Sequence, residues 1–247
     1  MKVNKITAFI CLIITIISGC LLMIYKNNEM LQSILSGIFT GFIVSLVVAV
    51  IGYFHERAKI IEAIDENIKS LFLNITVISK IAGNVLPTIH TSNDIQDLPF
   101  KNIVGLASLN PEFIIKMNLG LYSPVFTTSK QALVCKRLKE FLQTTYNIKN
   151  FSSRIESCVL NYNLHKLRIR NNELREIIVT TYELQNLDNI KNDILVLTAK
   201  LHEYTTCQAI EAGKIAKDFY GYKKKHLYWD DIEADLLREA ENIVRGR

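Results

Sequence analysis

Two uninterrupted apolar runs, Ile6–Ile24 and Leu31–Phe54, open the chain, and neither holds a charged residue. A hydrocarbon core of about 30 Å takes roughly twenty apolar residues to cross as a helix, so each run is long enough. The pattern then changes period without a break. Ile61, Ile64, Ile68, Leu71, Ile75, Ile78, Ala82 and Val85 fall three and four residues apart in alternation, the a/d spacing of a helical seam. This predicts a two-helix transmembrane hairpin over residues 1–54, with spans at 6–24 and 31–54. An all-α cytoplasmic domain follows over residues 55–247. Its first helix, 55–85, continues the second span and stops before Pro87. Ile60, Phe72, Val77 and Ile81 widen the stripe beyond a narrow seam, as in a helix of an intramolecular bundle. If the seam were filled between chains instead, isoleucine at the a positions would favour assemblies above a dimer.

Further helices follow by the same reasoning. Asn110-Pro111-Glu112 reads as a helix start, with a capping Asn, Pro in the first turn and an acid at the positive end of the dipole. That helix ends at Gly120. Another begins near Thr128 or Ser129, with Val134, Leu138, Phe141 and Leu142 as its apolar face, and a second basic helix runs from Ser152 to Arg170. Leu187, Ile190, Ile194, Leu197, Leu201 and Tyr204 form a second seam that extends to about Phe219. Asp230, with Glu233 three residues on, caps the last helix, and Gly246 closes it. Ile177–Thr181 is β-branched enough for a strand, but no turn-bounded partner is present, so the reading remains all-α.

Small residues punctuate both spans. Ser33, Gly37, Gly41, Ser45 and Ala49 recur every fourth position in the second span; Thr7, Cys11, Thr15 and Gly19 do so in the first. Such rows let helix backbones approach closely, and Gly37-Ile38-Phe39-Thr40-Gly41 is a G-x-x-x-G motif. Either the two rows pack on each other within one hairpin or they pack between protomers of a homo-oligomer. No Asp, Glu, Lys, Arg or His lies within either span, which argues against a proton or ion transporter.

Charge sets the topology. Lys2 and Lys5 precede the first span, Arg57 and Lys59 follow the second, and the short turn Lys26–Glu29 is balanced. The positive-inside rule then puts both termini in the cytoplasm, with the lipid bilayer as the first partner. Ile17-Ser18-Gly19-Cys20 offers a competing reading as a lipoprotein cleavage site at Cys20, although Leu21–Ile24 extends the apolar run past it, as a true span would. The cysteines are scattered and form no C-x-x-C pair, as in a reducing compartment.

The net charge of +5 is unevenly spread. Residues 130–175 hold ten Lys/Arg against Glu140, Glu156 and Glu173, whereas residues 230–241 hold six acids and only Arg238. Lys136, Arg137, Lys139, Lys166, Arg168 and Arg170 therefore form a basic block suited to an anionic partner, whether lipid or nucleic acid, or to a solvated or complementary helix face. Tyr222, Lys223, Lys224, Lys225, Tyr228 and Trp229 mix aromatics with lysines. They suit either a membrane interface or a connector whose aromatics plug the core.

Catalytic signatures are lacking. There is no P-loop, no G-x-G-x-x-G and no H-E-x-x-H. His202 and Cys207 are about 140° apart on a helix and cannot share a metal from it. Asp230, Asp231, Glu233 and Asp235 read as an acidic first turn answering the helix dipole. The expectation is a non-enzymatic protein with no cofactor and no metal.

In outline this arrangement resembles the small two-transmembrane effectors of bacterial anti-phage defence systems, in which a membrane hairpin is joined to a cytoplasmic sensing region. The resemblance covers topology and carries no diagnostic motif or residue roles. It implies an inner-membrane protein whose hairpins cluster through the Gly37/Gly41 row and perturb the bilayer once a restraining partner, a protein or ribonucleoprotein, lets go. The alternative is a membrane-anchored scaffold or accessory subunit that docks a cytoplasmic partner.

Overall fold

The computed structural model describes residues 2–25, 27–91, 95, 98–121, 129–174, 181–223 and 229–246. Among them are six helices and no strand: α1 (Lys2–Ile24), α2 (Glu29–Thr91), α3 (Phe100–Leu121), α4 (Ser129–Leu174), α5 (Thr181–Lys223) and α6 (Trp229–Arg245). The protein is all-α, as its periodicity predicts. Its contacts divide it into two compact units, Met1–Asp65 with Leu119–Thr127, and Glu66–Asn118 with Thr128–Arg247.

The first unit contains two helices long and apolar enough to cross a membrane. A tight turn joins them. Asn28 caps α2 by accepting a hydrogen bond from the Leu31 amide through Oδ1 at 3.2 Å. The helices run antiparallel, with Gly19 against the Phe39 ring and Asn4 against Gly52. Hydroxyl groups inside the spans bond back to their own helix: Thr15 to the Cys11 carbonyl at 2.7 Å, Thr40 to Ser36 at 2.8 Å and Ser45 to Gly41 at 2.9 Å. A hydroxyl with no water nearby needs such an acceptor, and the backbone supplies it.

In the second unit the seams close within one chain. Ile68, Leu71, Ile75, Ile78, Ala82 and Val85 of α2 are all buried, as are Ile190, Ile194, Leu197 and Leu201 of α5. Each fully buried Ile or Leu contributes about 1.5–3 kcal/mol relative to exposure. α5 runs antiparallel to α2, with Gly213 beside Phe72 and Thr206 bonded to Ser79. It also runs antiparallel to α4. Thr144 meets Gln208 at 2.9 Å, Asn147 meets Tyr204 at 3.2 Å and Arg168 approaches Glu183. α3 joins α2 through Asn74, whose Nδ2 donates to the Leu106 carbonyl and to Asn110 Oδ1. α6 follows α2 in the same direction, from Trp229 at Phe72 to Glu241 at Lys80.

Several helix boundaries differ from those the sequence predicts, and the causes are local. Pro87 does not stop α2, which continues to Thr91. Burial of Ile89 anchors the extra turn, and the Thr88 and Thr91 hydroxyls bond to the carbonyls of Asn84 and Pro87. Pro111 likewise lies inside α3. The predicted cap, Asn110, is turned inward to Asn74, and Pro99 sits at the actual start, its carbonyl accepting from the Asn102 amide. The two predicted basic helices are one, α4. Ile148 is buried where the break was expected, and the Ser152 hydroxyl bonds back to the Lys149 carbonyl instead of capping. Asp230 is inside the first turn of α6 and pairs with Lys217 at 2.9 Å, raising the lysine's pKa. Gly246, at φ 69°, does end α6 in the left-handed conformation that glycine favours. Residues 177–180 lie outside the described residues.

Candidate functional site

The two rows of small residues have different fates. In α1, Cys11 is buried, Thr15 and Gly19 are half-buried, and a Cβ at Gly19 would stand 3.3 Å from the Phe39 ring. Those three positions are covered within the hairpin, and Thr7 at the start of the row is exposed. Of the α2 row only Ala49 is buried. Ser33, Gly37, Gly41 and Ser45 are exposed, and a Cβ at Gly37 or Gly41 would meet nothing within 4 Å. The α2 face turned to α1 is instead Leu35, Phe39, Phe42, Leu46 and Ala49, all at least half-buried.

With that face assigned, a further pattern emerges that the four-residue spacing alone had not revealed. Ile34, Gly37, Gly41, Val44, Val48 and Ile51 are all exposed and alternate three and four residues apart. This is a heptad stripe on the side of α2 away from α1, with two glycines forming a hollow and Val44 and Val48 standing beside it. In lipid there is no hydrophobic penalty for leaving such a stripe open. What favours its closure is van der Waals packing where the missing side chains let backbones approach. The Ser45 hydroxyl is already spent on Gly41, so packing and not hydroxyl bonding is what this surface offers.

The α2 seam that begins at Ile61 is half-buried there and buried from Ile64 onward, including the widening residues Phe72, Val77 and Ile81. It is a core element and presents no free coiled-coil surface.

Two members of the basic block, Arg137 and Arg168, face acids of α5. Arg137 donates to Asp218 and, at 3.1 Å, to Glu211, while Arg168 lies 3.8 Å from Glu183. Lys136 faces Glu140 of its own helix at 3.9 Å, and Lys139 and Lys166 also have partners. These are exposed or half-exposed pairs, each worth about 0–1 kcal/mol. Arg170 is exposed. Arg137 and Arg168 thus meet α5 acids, while Glu241 and Asp230 of the acidic stretch at 230–241 pair with Lys80 and Lys217.

Of the aromatic-lysine connector, Tyr222 and Lys223 close α5, and Lys224, Lys225 and Tyr228 lie outside the described residues. Of the two readings left open for Trp229, the interface one is overturned and the core plug is what the structure shows. It is 3% exposed, edge-on to Phe72 with centroids 5.4 Å apart and beside Tyr220, so it plugs the core and cannot rest on headgroups. Lys69 lies over the outer ring of this group, 5.8 Å from the Tyr220 centroid.

Among the described residues no group of three or more His, Cys, Asp and Glu is placed to hold a metal. His202 turns into α2, and Cys207 is exposed. Cys158 is partly buried, and desolvation with the nearby Asp193 raises its pKa, which keeps it a poor nucleophile.

A different apolar strip crosses α4. Leu160, Leu164 and Leu167 are 58%, 67% and 49% exposed, on the side of the helix opposite the buried Ile155, Tyr162 and Ile169. Arg168 and Arg170 flank it.

Comparison with protein-family models, curated proteins and solved structures found no match to this chain.

Proposed function

We propose that this is an integral inner-membrane protein, with both termini cytoplasmic, that acts without catalysis. Its hairpin self-associates through the Gly37–Gly41 face of α2, and the assembled hairpins perturb the bilayer. The helical region binds a cytoplasmic partner that holds the hairpins apart until a signal arrives. The observation that carries this reading is the open heptad stripe with its glycine hollow, on a helix whose other face is already occupied by α1. The partner contact best supported is the Leu160/Leu164/Leu167 strip. Its flanking arginines suit an amphipathic helix with acidic borders.

The test is membrane potential, read with a voltage-sensitive dye in bacteria induced to express the chain alone. Depolarisation with growth arrest is expected, and Gly41→Ile should abolish both while the protein still inserts. Full polarisation at high, correctly inserted expression would contradict the effector reading. The scaffold reading, which the exposed leucine strip favours by itself, predicts that function survives replacement of both spans by an unrelated hairpin.

A further inference from the structure

His202 is locked into an arrangement that its role as a packing residue does not require. Its Nδ1–H donates to the Ser79 carbonyl at 2.9 Å. The Ser79 hydroxyl meets Thr206 Oγ1 at 2.8 Å, and Thr206 donates in turn to the His202 carbonyl. The imidazole lies directly over Gly83, where a Cβ would stand 2.9 Å from Cε1, so only glycine admits the ring. Nε2 has no hydrogen-bond partner among the described residues.

This ring forms one wall of a cavity of about 380 Å³ between α2, α5 and α6. Lys80 and Asn84 enter from α2, and Glu241 and Arg245 from α6. Three nitrogen-bearing side chains that can carry positive charge, from three different helices, thus border one space with a single carboxylate. A second cavity of about 480 Å³ adjoins it, sharing Asn84 and Val244 and lined by Ile81, Pro99, Leu106 and Ile243, with Lys101 also in its wall.

We infer that the convergence of Lys80, His202 and Arg245 beside this apolar groove is a binding site for a small phosphate monoester. The phosphate occupies the first cavity and the ester's apolar body the second. A phosphate presents three oxygens, matching donors that arrive from three directions; a carboxylate presents two and is met best by one arginine fork. The imidazole Nε2 accepts from a phosphate hydroxyl or, protonated, donates to a phosphate oxygen. Glu241 occupies Lys80 at 3.0 Å in the empty site. Because Glu241 is exposed and Lys80 only half-buried, the pair contributes little and yields Lys80 readily to a dianion. The site is separate from the α2 surface proposed for self-association, and its test does not depend on that proposal.

The experiment is calorimetric titration of the full chain in phospholipid-free detergent with phenyl phosphate, and with inorganic phosphate as the head group alone. Phenyl phosphate should bind more tightly than inorganic phosphate. Arg245→Gln should weaken it by about 10-fold or more, as expected for a lost charge-assisted hydrogen bond. Glu241→Gln should tighten it by removing the one carboxylate that the described residues place in the cavity wall. Both positions are exposed, and cooperative thermal unfolding, at most slightly lowered in Glu241→Gln by loss of the Lys80 pair, confirms that the two variants fold. Nanodiscs with and without phosphatidic acid then separate the sources: competition by that lipid assigns the site to a headgroup, and its absence to a soluble ester. No binding at ~10 mM phenyl phosphate, or equal binding by wild type, Arg245→Gln and Glu241→Gln, overturns the inference.

Discussion

Helix α2 carries two heptad stripes, and the chain treats them in opposite ways. From Ile64 to Val85 the stripe is closed, with every a/d position buried by the chain itself. From Ile34 to Ile51 an equally regular stripe stands open, with Val48 64% exposed and two glycines that touch nothing. In water an open isoleucine stripe would cost several kcal/mol, so the chain must close it to fold. In lipid an open stripe costs nothing comparable, so the fold of one chain does not require it to be closed. The self-association proposed above would give the exposed glycines a role.

Substitutions sharpen this contrast, and the largest effect belongs to the closed stripes. Ile194→Ala removes a side chain with no exposed surface and should destabilise the helical region by about 2–5 kcal/mol. At roughly 2–4 °C per kcal/mol for a region of this size, circular dichroism melts should show it plainly. Val48→Ala on the open stripe should leave the same melt unmoved. A comparable loss from Val48→Ala would mean that the open stripe is packed within the chain after all.

Glycine to alanine makes a finer comparison. At Gly83 the new methyl would stand 2.9 Å from His202, and displacing that ring should cost about 1–3 kcal/mol. At Gly37 nothing lies within 4 Å, and the melt should stay within about 0.5 kcal/mol of wild type.

The smallest effect is electrostatic. The hydrogen bond and charge of Lys80 hold the Glu241 carboxyl below the ordinary carboxylate range. A depressed carboxylate adds stability above its unfolded pKa, and that contribution fades as pH falls through the folded value. Lys80→Gln should therefore melt slightly lower than wild type at neutral pH, and the two curves should converge in acid. A gap that widened with acidification would reverse the assignment. Glu241 is fully exposed, so solvent screening keeps the effect small.

The two long apolar helices, the all-α class and both seams of the second unit were legible, because apolar length and periodicity record burial directly. Helix boundaries were less so, since Pro87 and Pro111 look like breakers whenever tertiary burial is left out. Ile89 and the Asn74–Asn110 bond supply what local propensity withholds. The glycine row was visible as a motif, but its open side was not, because spacing along one helix does not say which face α1 takes. Phe39 settles that by filling the Gly19 notch and leaving Gly37 and Gly41 on the other side. Trp229 was left between two readings for a related reason. Composition suits tryptophan equally to a headgroup layer and to a core, and only its contacts with Phe72 and Tyr220 decide.

The most direct measurement is Förster transfer between donor- and acceptor-labelled full-length protein in liposomes, diluted with lipid to separate specific association from crowding. Wild type should show transfer that persists on dilution. Gly41→Ile should lose most of it, whereas Val50→Ile, outside the open stripe on the same helix, should not. Transfer unchanged in Gly41→Ile, or absent from wild type at every lipid ratio, would contradict self-association through this face.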